Sequence, residues 1–163
     1  MPSHRKSSQK TNSMFPSLHT TVATLLESSA PELKFTFHPD NTDNDCAKAY
    51  NTNIMGKFIC HKPGCHSVWT SKKIAIRIRL YHGETYNALV YHQRCKKCHW
   101  VSKPKLDEEC YAERIVYRLK KWSGIQGLEI PAYNGGNGEG PHIERLCEGC
   151  KAGHCTQSSG DWE

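Results

Sequence analysis

The sequence predicts an α+β fold: a small antiparallel sheet, one main helix packed against it, and a C-terminal loop rich in cysteine and histidine. Three stretches carry that expectation. "KKIAIRIRLY" alternates strictly, with Ile74, Ile76, Ile78 and Leu80 on one side and Lys73, Ala75, Arg77, Arg79 and Tyr81 on the other. This is the period of a strand with one face buried and one face in water. "KLDEECYAERIVYRLKKWSG" repeats its apolar residues at helical spacing, and "GPHIERLCEGCKAGHC" gathers His142, Cys147, Cys150, His154 and Cys155 between residues 140 and 155.

The bulk numbers suit one compact domain with tails. The chain has 163 residues, of which 37% are hydrophobic, and its mean hydropathy is −0.69. Such a core is small for its length, and small cores are commonly reinforced by disulfides or metal ions. Nine cysteines supply the means. Six of them fall in close pairs, Cys60/Cys65, Cys95/Cys98 and Cys147/Cys150, a spacing that puts two ligands on one turn rather than building a disulfide framework. The N-terminus lacks the apolar stretch of a signal peptide, and no run approaches the roughly 20 apolar residues of a membrane span. The expectation is an intracellular protein, cytoplasmic or nuclear, with reduced thiols and no transmembrane anchor.

Residues 1–13 read as a disordered basic tail. In "SLHTTVATLLESS", Leu18, Val22, Leu25 and Leu26 fall on one helical face, with Ser17 as N-cap and Pro31 beyond the end. "LKFTFH" alternates like a short strand, "PDNTDND" is a polar loop, and "IMGKFIC" leads into the first cysteine pair. After "KKIAIRIRLY", the turn "HGET" and the strand "YNALVYHQ" complete a hairpin. A turn centred between Gly83 and Glu84 sets Cys95 opposite Lys72 and Cys98 near Trp69. The open end of the hairpin thus collects Cys60, Cys65, Cys95 and Cys98, four thiolates in the manner of a zinc ribbon. In the main helix, Asp107 is the N-cap, Glu108 and Glu109 occupy the first turn, Lys120 and Lys121 the last, and Gly124 marks the stop. Ala112, Ile115, Val116, Leu119 and Trp122 form its packing stripe. Cys110 reads as a small buried residue of this helix, and Cys46 has no assigned role. "GIQGLEIPAYNGGNGEGPH" is a flexible connection without the lysine and strand–helix context of a phosphate loop. Residues 156–163 form a short polar tail.

Four chemistries compete for residues 140–155. A thioredoxin-like redox pair needs a βαβ setting that the chain lacks. His142-Ile143-Glu144 followed by Cys147 and Cys150 echoes a nucleobase deaminase, but the two pieces are too close to start separate helices, and the proline is missing. A disulfide conflicts with the compartment. A structural zinc site remains, with His142, Cys147, Cys150 and Cys155 as ligands and His154 as the spare, because adjacent side chains such as His154 and Cys155 diverge. His61, His66 and His99 read as surface or supporting groups. Two zinc ions per chain follow. Both sites would be fully ligated, so no enzyme activity and no small-molecule substrate are expected.

The order of "MFPSLH", "NIMGKFIC", "VWTSKKIAIRIR", "YNALVYHQRCKKC", "LDEECYAERIVYRLKKW" and "GPHIERLCEGCKAGHC" resembles the 3CxxC-type zinc finger domain of receptor-transporting proteins, zygote-arrest proteins and many fungal proteins, most closely the fungal form. The resemblance covers residues 14–155, the expected zinc-binding domain. The family pattern places one histidine with the last cysteine pair, which agrees with His142; here the first pair is C-x4-C instead of C-x-x-C. The resemblance implies a binding protein, either for RNA or for a protein partner as an adaptor or chaperone. Charge distribution fits RNA: residues 56–125 hold fifteen basic and five acidic side chains, a net +10. Part of that excess offsets a four-thiolate zinc centre of net charge −2. The expected RNA-contacting residues are Lys73, Arg77, Arg79 and Tyr81 on the wet strand face, with Arg94, Lys96, Lys97, His99 and Trp100 beside the second cysteine pair.

Overall fold

The chain builds its sheet from three successive antiparallel strands and uses both faces of it. The computed structural model describes residues 10–129 and 142–156. In chain order the elements are β1 (Asn12–Ser13), α1 (His19–Ser29), β2 (Thr36–Phe37), β3 (Cys46–Ile59), β4 (Val68–Tyr81), β5 (Thr85–Tyr91), β6 (Gln93–Arg94), β7 (Val101–Ser102), β8 (Pro104–Leu106), α2 (Glu108–Trp122) and the single turn α3 (Glu148–Lys151). The main sheet runs β1-β5-β4-β3-β8, with β2 also joining β5, in parallel; β6 and β7 form a separate small hairpin. None of the described helices is long and apolar enough to cross a membrane.

The alternation in β4 fixes the first layer. Ile74, Ile76 and Ile78 are fully buried together with Ile54 and Phe58 of β3 and Tyr86, Ala88 and Val90 of β5. Against this face pack Leu18, Val22 and Leu26 from the first helical segment and Ala112, Ile115, Val116 and Leu119 from α2. Each fully buried aliphatic side chain contributes about 1.5–3 kcal/mol of transfer free energy, so this apolar layer is the main source of stability. Cys110 is buried within it, and Trp122 packs at its margin. α2 begins as the sequence indicates: the Asp107 carboxylate accepts the Cys110 backbone N–H at 3.0 Å, with Glu108 and Glu109 in the first turn and Lys120 and Lys121 in the last.

Four local expectations change. β3 is fourteen residues long and takes in Cys46 and the polar stretch before Ile54, which single-strand periodicity does not announce. Its partner explains it: Thr52 faces Ile76, Tyr50 faces Ile78 and Lys48 faces Leu80, so β4 supplies the ladder. α1 is entered through a 3-10 turn at Pro16–Leu18, and Leu18 rather than Ser17 occupies the N-cap, with no side-chain cap. The hairpin loop has three residues, with Gly83 and Glu84 at positive φ, so Tyr81 faces Thr85 and the register moves by one residue from the expected pairing. The last residues of the expected tail are ordered, Asn12 and Ser13 pairing with Tyr91 and Val90. Residues 1–9, most of the Gly-rich connection and residues 157–163 lie outside the described residues.

The other face of the sheet holds the largest correction. The side expected to be wet is covered. Ala75, Leu89 and Tyr91 are buried under Cys147 and Cys155 of the C-terminal loop. Further along, the loop at residues 41–43 closes over Arg79, which is only 2% exposed. The Arg79 guanidinium donates to Asn87 Oδ1 at 2.8 Å, to Asn41 Oδ1 at 2.8 Å and to Asp43 at 3.3 Å. Tyr81 donates its hydroxyl to the Thr42 carbonyl and stacks on His38. Partial burial would raise the Asp43 carboxyl, but its hydrogen bond and charge contacts with Arg79 and Arg77 outweigh that and hold it below its ordinary value. A strand that alternates apolar and basic residues can thus be buried on both faces where a cation such as Arg79 has its own polar partners.

Candidate metal centres

Two clusters of thiols form on different parts of this one sheet. The first is assembled by two hairpin tips. β3 and β4 close at Ile59↔Val68, and the loop between them carries Cys60 and Cys65. β6 and β7 close round Cys95 and Cys98, where Cys95 N–H donates to the Trp100 carbonyl at 2.9 Å and His99 N–H to the Cys95 carbonyl at 2.8 Å. The open end of the β4–β5 hairpin brings the chain near, but the pairs themselves sit on these two separate tips. The Sγ atoms of Cys60 and Cys98 are 3.4 Å apart and those of Cys65 and Cys95 3.6 Å. All four ligand atoms lie within 4.8 Å of one another. A zinc–thiolate tetrahedron with bonds of about 2.3 Å has sulfur–sulfur edges of about 3.8 Å, so the donor set fits that ion. The wider first pair, C-x4-C, does not prevent closure.

The second cluster joins His142 to Cys147, Cys150 and Cys155, again with all ligand atoms within 4.8 Å. His142 Nε2 lies 3.3 Å from Cys150 Sγ and 3.7 Å from Cys155 Sγ, near the roughly 3.5 Å edge expected between an imidazole and a thiolate on one zinc ion. The Cys150 backbone N–H points at Cys147 Sγ at 3.4 Å, the amide-to-sulfur contact of a tight cysteine turn. His154 turns away, and its Nδ1 meets the Tyr91 hydroxyl. The structure therefore sets His142 among the clustered donors and His154 against the sheet. Gly149 makes the turn possible: a Cβ there would lie 2.4 Å from the Cβ of Ala75.

The electrostatics of the bare thiols point to a cation. None of the nine cysteines is in a disulfide. Burial pushes the Cys60 thiol up to about 12, while the Ser67 hydroxyl 3.3 Å from Cys65 holds that thiol down at about 6. In the second cluster the neighbouring Cys155 thiol, and then burial, push Cys147 up. Packed thiols cannot all ionise beside one another; a divalent ion removes that conflict, because it binds each of them as thiolate.

Of the residues expected to meet RNA, Lys96, Lys97, His99 and Trp100 are exposed on the β6–β7 tip. Lys73 and Arg77 are half-buried on β4. Arg94 is engaged by the buried Glu148 carboxylate, at 2.6 Å. Arg79 and Tyr81 belong to the covered face and are buried. Sequence reasoning missed several supporting groups: Asn53, whose Nδ2 is 3.8 Å from Cys155 Sγ; Ser67 beside Cys65; and Gly149. Only the glycine left a readable signal, as a turn residue between two cysteines.

The sheet, the two hairpin tips and the two four-ligand clusters define a zinc-ribbon protein with two metal centres. The chain belongs to the 3CxxC zinc-ribbon family, whose sequence model, described as a zinc-binding domain, matches residues 53–153. That match starts inside β3 and takes in every proposed ligand except Cys155. No curated protein and no solved structure matches the chain.

Proposed function

We propose that the protein is a non-catalytic binding module in which two structural zinc ions hold the fold, and that its partner is RNA. Both centres bring four protein donors together, which leaves no open coordination position for a substrate. The observation that carries the RNA reading is the make-up of the end that surrounds the four-cysteine centre. Lys96, Lys97, His61, His66 and His99 are exposed there, and Lys57 faces Lys105 directly across β3 and β8 with both exposed. Among these side chains, Trp100 is 37% exposed and Val68 56%. Cations that meet phosphates, next to an open aromatic face on which a base stacks, are what single-stranded RNA needs. The resemblance to the 3CxxC-type domain, which zygote-arrest proteins use to bind messenger RNA, is compatible with the same reading. The contact surface is this end and not the β4 face, since Arg79 and Tyr81 are committed to the 41–43 loop.

The test is a titration of labelled single-stranded RNA at two salt concentrations, with zinc content measured on the same samples. Lys96→Ala/Lys97→Ala should weaken binding to all sequences and reduce the salt slope by about 0.7 for each phosphate that is no longer neutralised. Trp100→Ala should cost about 1–3 kcal/mol. Absence of binding by zinc-loaded wild type at low salt would overturn the RNA reading. The exposed Ile59–Val68 pair at the same end would then favour a protein partner.

A further inference from the structure

The two metal centres share their supports. β6 leads directly into Cys95 of the first centre and pairs with β7 to form its second hairpin tip. The same short segment carries the second centre: Gln93 forms a bridge with Cys147, and the Glu148 backbone N–H donates to the His92 carbonyl at 3.2 Å. A charged clasp spans the junction. Arg94 Nε donates to Glu148 Oε1 at 2.6 Å and Nη1 to the His99 carbonyl at 3.1 Å. Glu148 lies between the ligands Cys147 and Cys150, is 6% exposed, and also accepts from Lys151 at 3.2 Å. His99 is the neighbour of Cys98. One guanidinium therefore ties the tip of the first centre to the turn of the second, and it sits between two centres that zinc would leave anionic, one with four thiolates and one with three.

We infer that zinc at either centre strengthens the other, and that the Arg94–Glu148 pair transmits the effect. Zinc at the first centre fixes Cys95 and Cys98, which orders β6. Ordered β6 presents Arg94 and its backbone edge to Cys147 and Glu148, so the second centre forms from a partly organised chain and loses less entropy on closing. The dependence is reciprocal, since coupling between two equilibria acts equally on both.

The experiment compares the wild-type chain with Arg94→Gln, Glu148→Gln and the double variant, all of which keep the eight proposed ligands. Cobalt(II) replaces zinc, because a four-thiolate and a three-thiolate–imidazole site absorb differently, and each is titrated against a chelator. Circular dichroism of the loaded proteins checks the fold. Glu148→Gln should weaken the remote four-cysteine centre as well as its own, by about fivefold or more. Arg94→Gln should weaken both centres, and the double variant should lose less than the sum of the two single losses. A purely local role for Glu148 would leave the four-cysteine centre within twofold of wild type. That result, or fully additive losses in the double variant, would overturn the inference. If Glu148→Gln does not fold, Arg94→Gln decides: weakening confined to one centre refutes it.

Discussion

Replacing Gly149 by alanine should loosen the second metal centre directly, and the first only through the coupling between the two. A Cβ added at residue 149 would project towards the sheet, 2.4 Å from Ala75 Cβ and 3.5 Å from both Cys147 Sγ and Cys155 Cβ. Carbon atoms pack at about 3.5–4.0 Å, so the cysteine turn must lift from β4 by about 1 Å. The sheet cannot yield instead: Ala75 faces Asn53 in β3, and the next residue, Ile76, is held by Val90 in β5. Overpacking of this kind costs about 1–3 kcal/mol. Three of the four ligands, Cys147, Cys150 and Cys155, belong to the segment that must move, so the cost appears as weaker metal binding, roughly five- to 150-fold. Chelator competition, with zinc stoichiometry followed by native mass spectrometry, should show one zinc lost early from Gly149→Ala and the other weakened by a smaller factor. Ala75→Gly in the same chain removes the clash and should recover most of the affinity. Unchanged retention of the second zinc in Gly149→Ala, or an equal loss with and without Ala75→Gly, would refute the packing argument.

Elemental analysis of the purified protein should give two zinc ions per chain, and strong chelation should unfold much of it, because apparent zinc binding of about 10–16 kcal/mol exceeds the roughly 5–15 kcal/mol stability of a typical domain; one zinc, or none, refutes the two-centre reading. His142→Ala should lose one zinc and His154→Ala none, as read by the same assay. His92, buried against Ser13 with its Nε2 2.8 Å from the hydroxyl, has its pKa lowered to about 4 by burial. The unfolded chain therefore binds this proton first: the stabilisation is fully present above about pH 6.5 and is lost as pH falls towards 4, about 3 kcal/mol over the whole interval. Denaturant melts between pH 7 and 5.5, where zinc loading is verified, should show a shallower pH slope for His92→Gln than for wild type; equal slopes would exclude His92 as the source.

Local sequence determined what depends on neighbours along the chain. The isoleucines of β4 and the stripe of α2 declare their buried faces by period alone, and Asp107, Lys120 and Lys121 mark the helix ends because capping and dipole effects act within one turn. The eight donors that the structure gathers into two clusters were readable for a similar reason: short cysteine spacings put two donors on one turn, and His142 is close enough in sequence to fold back over Cys147 and Cys150. Tertiary structure decided everything that depends on what approaches from afar. The polar half of β3 becomes strand only because β4 offers it a ladder, and the basic face of β4 is buried at Arg79 and Ala75 only because the 41–43 loop supplies Asn41 and Asp43 to Arg79 while the cysteine turn lands on Ala75. Alternation in a sequence reports that two faces differ in polarity. It does not report whether the polar face meets water or a matching set of polar groups, because the energy of a buried cation is set by partners that lie dozens of residues away in the chain.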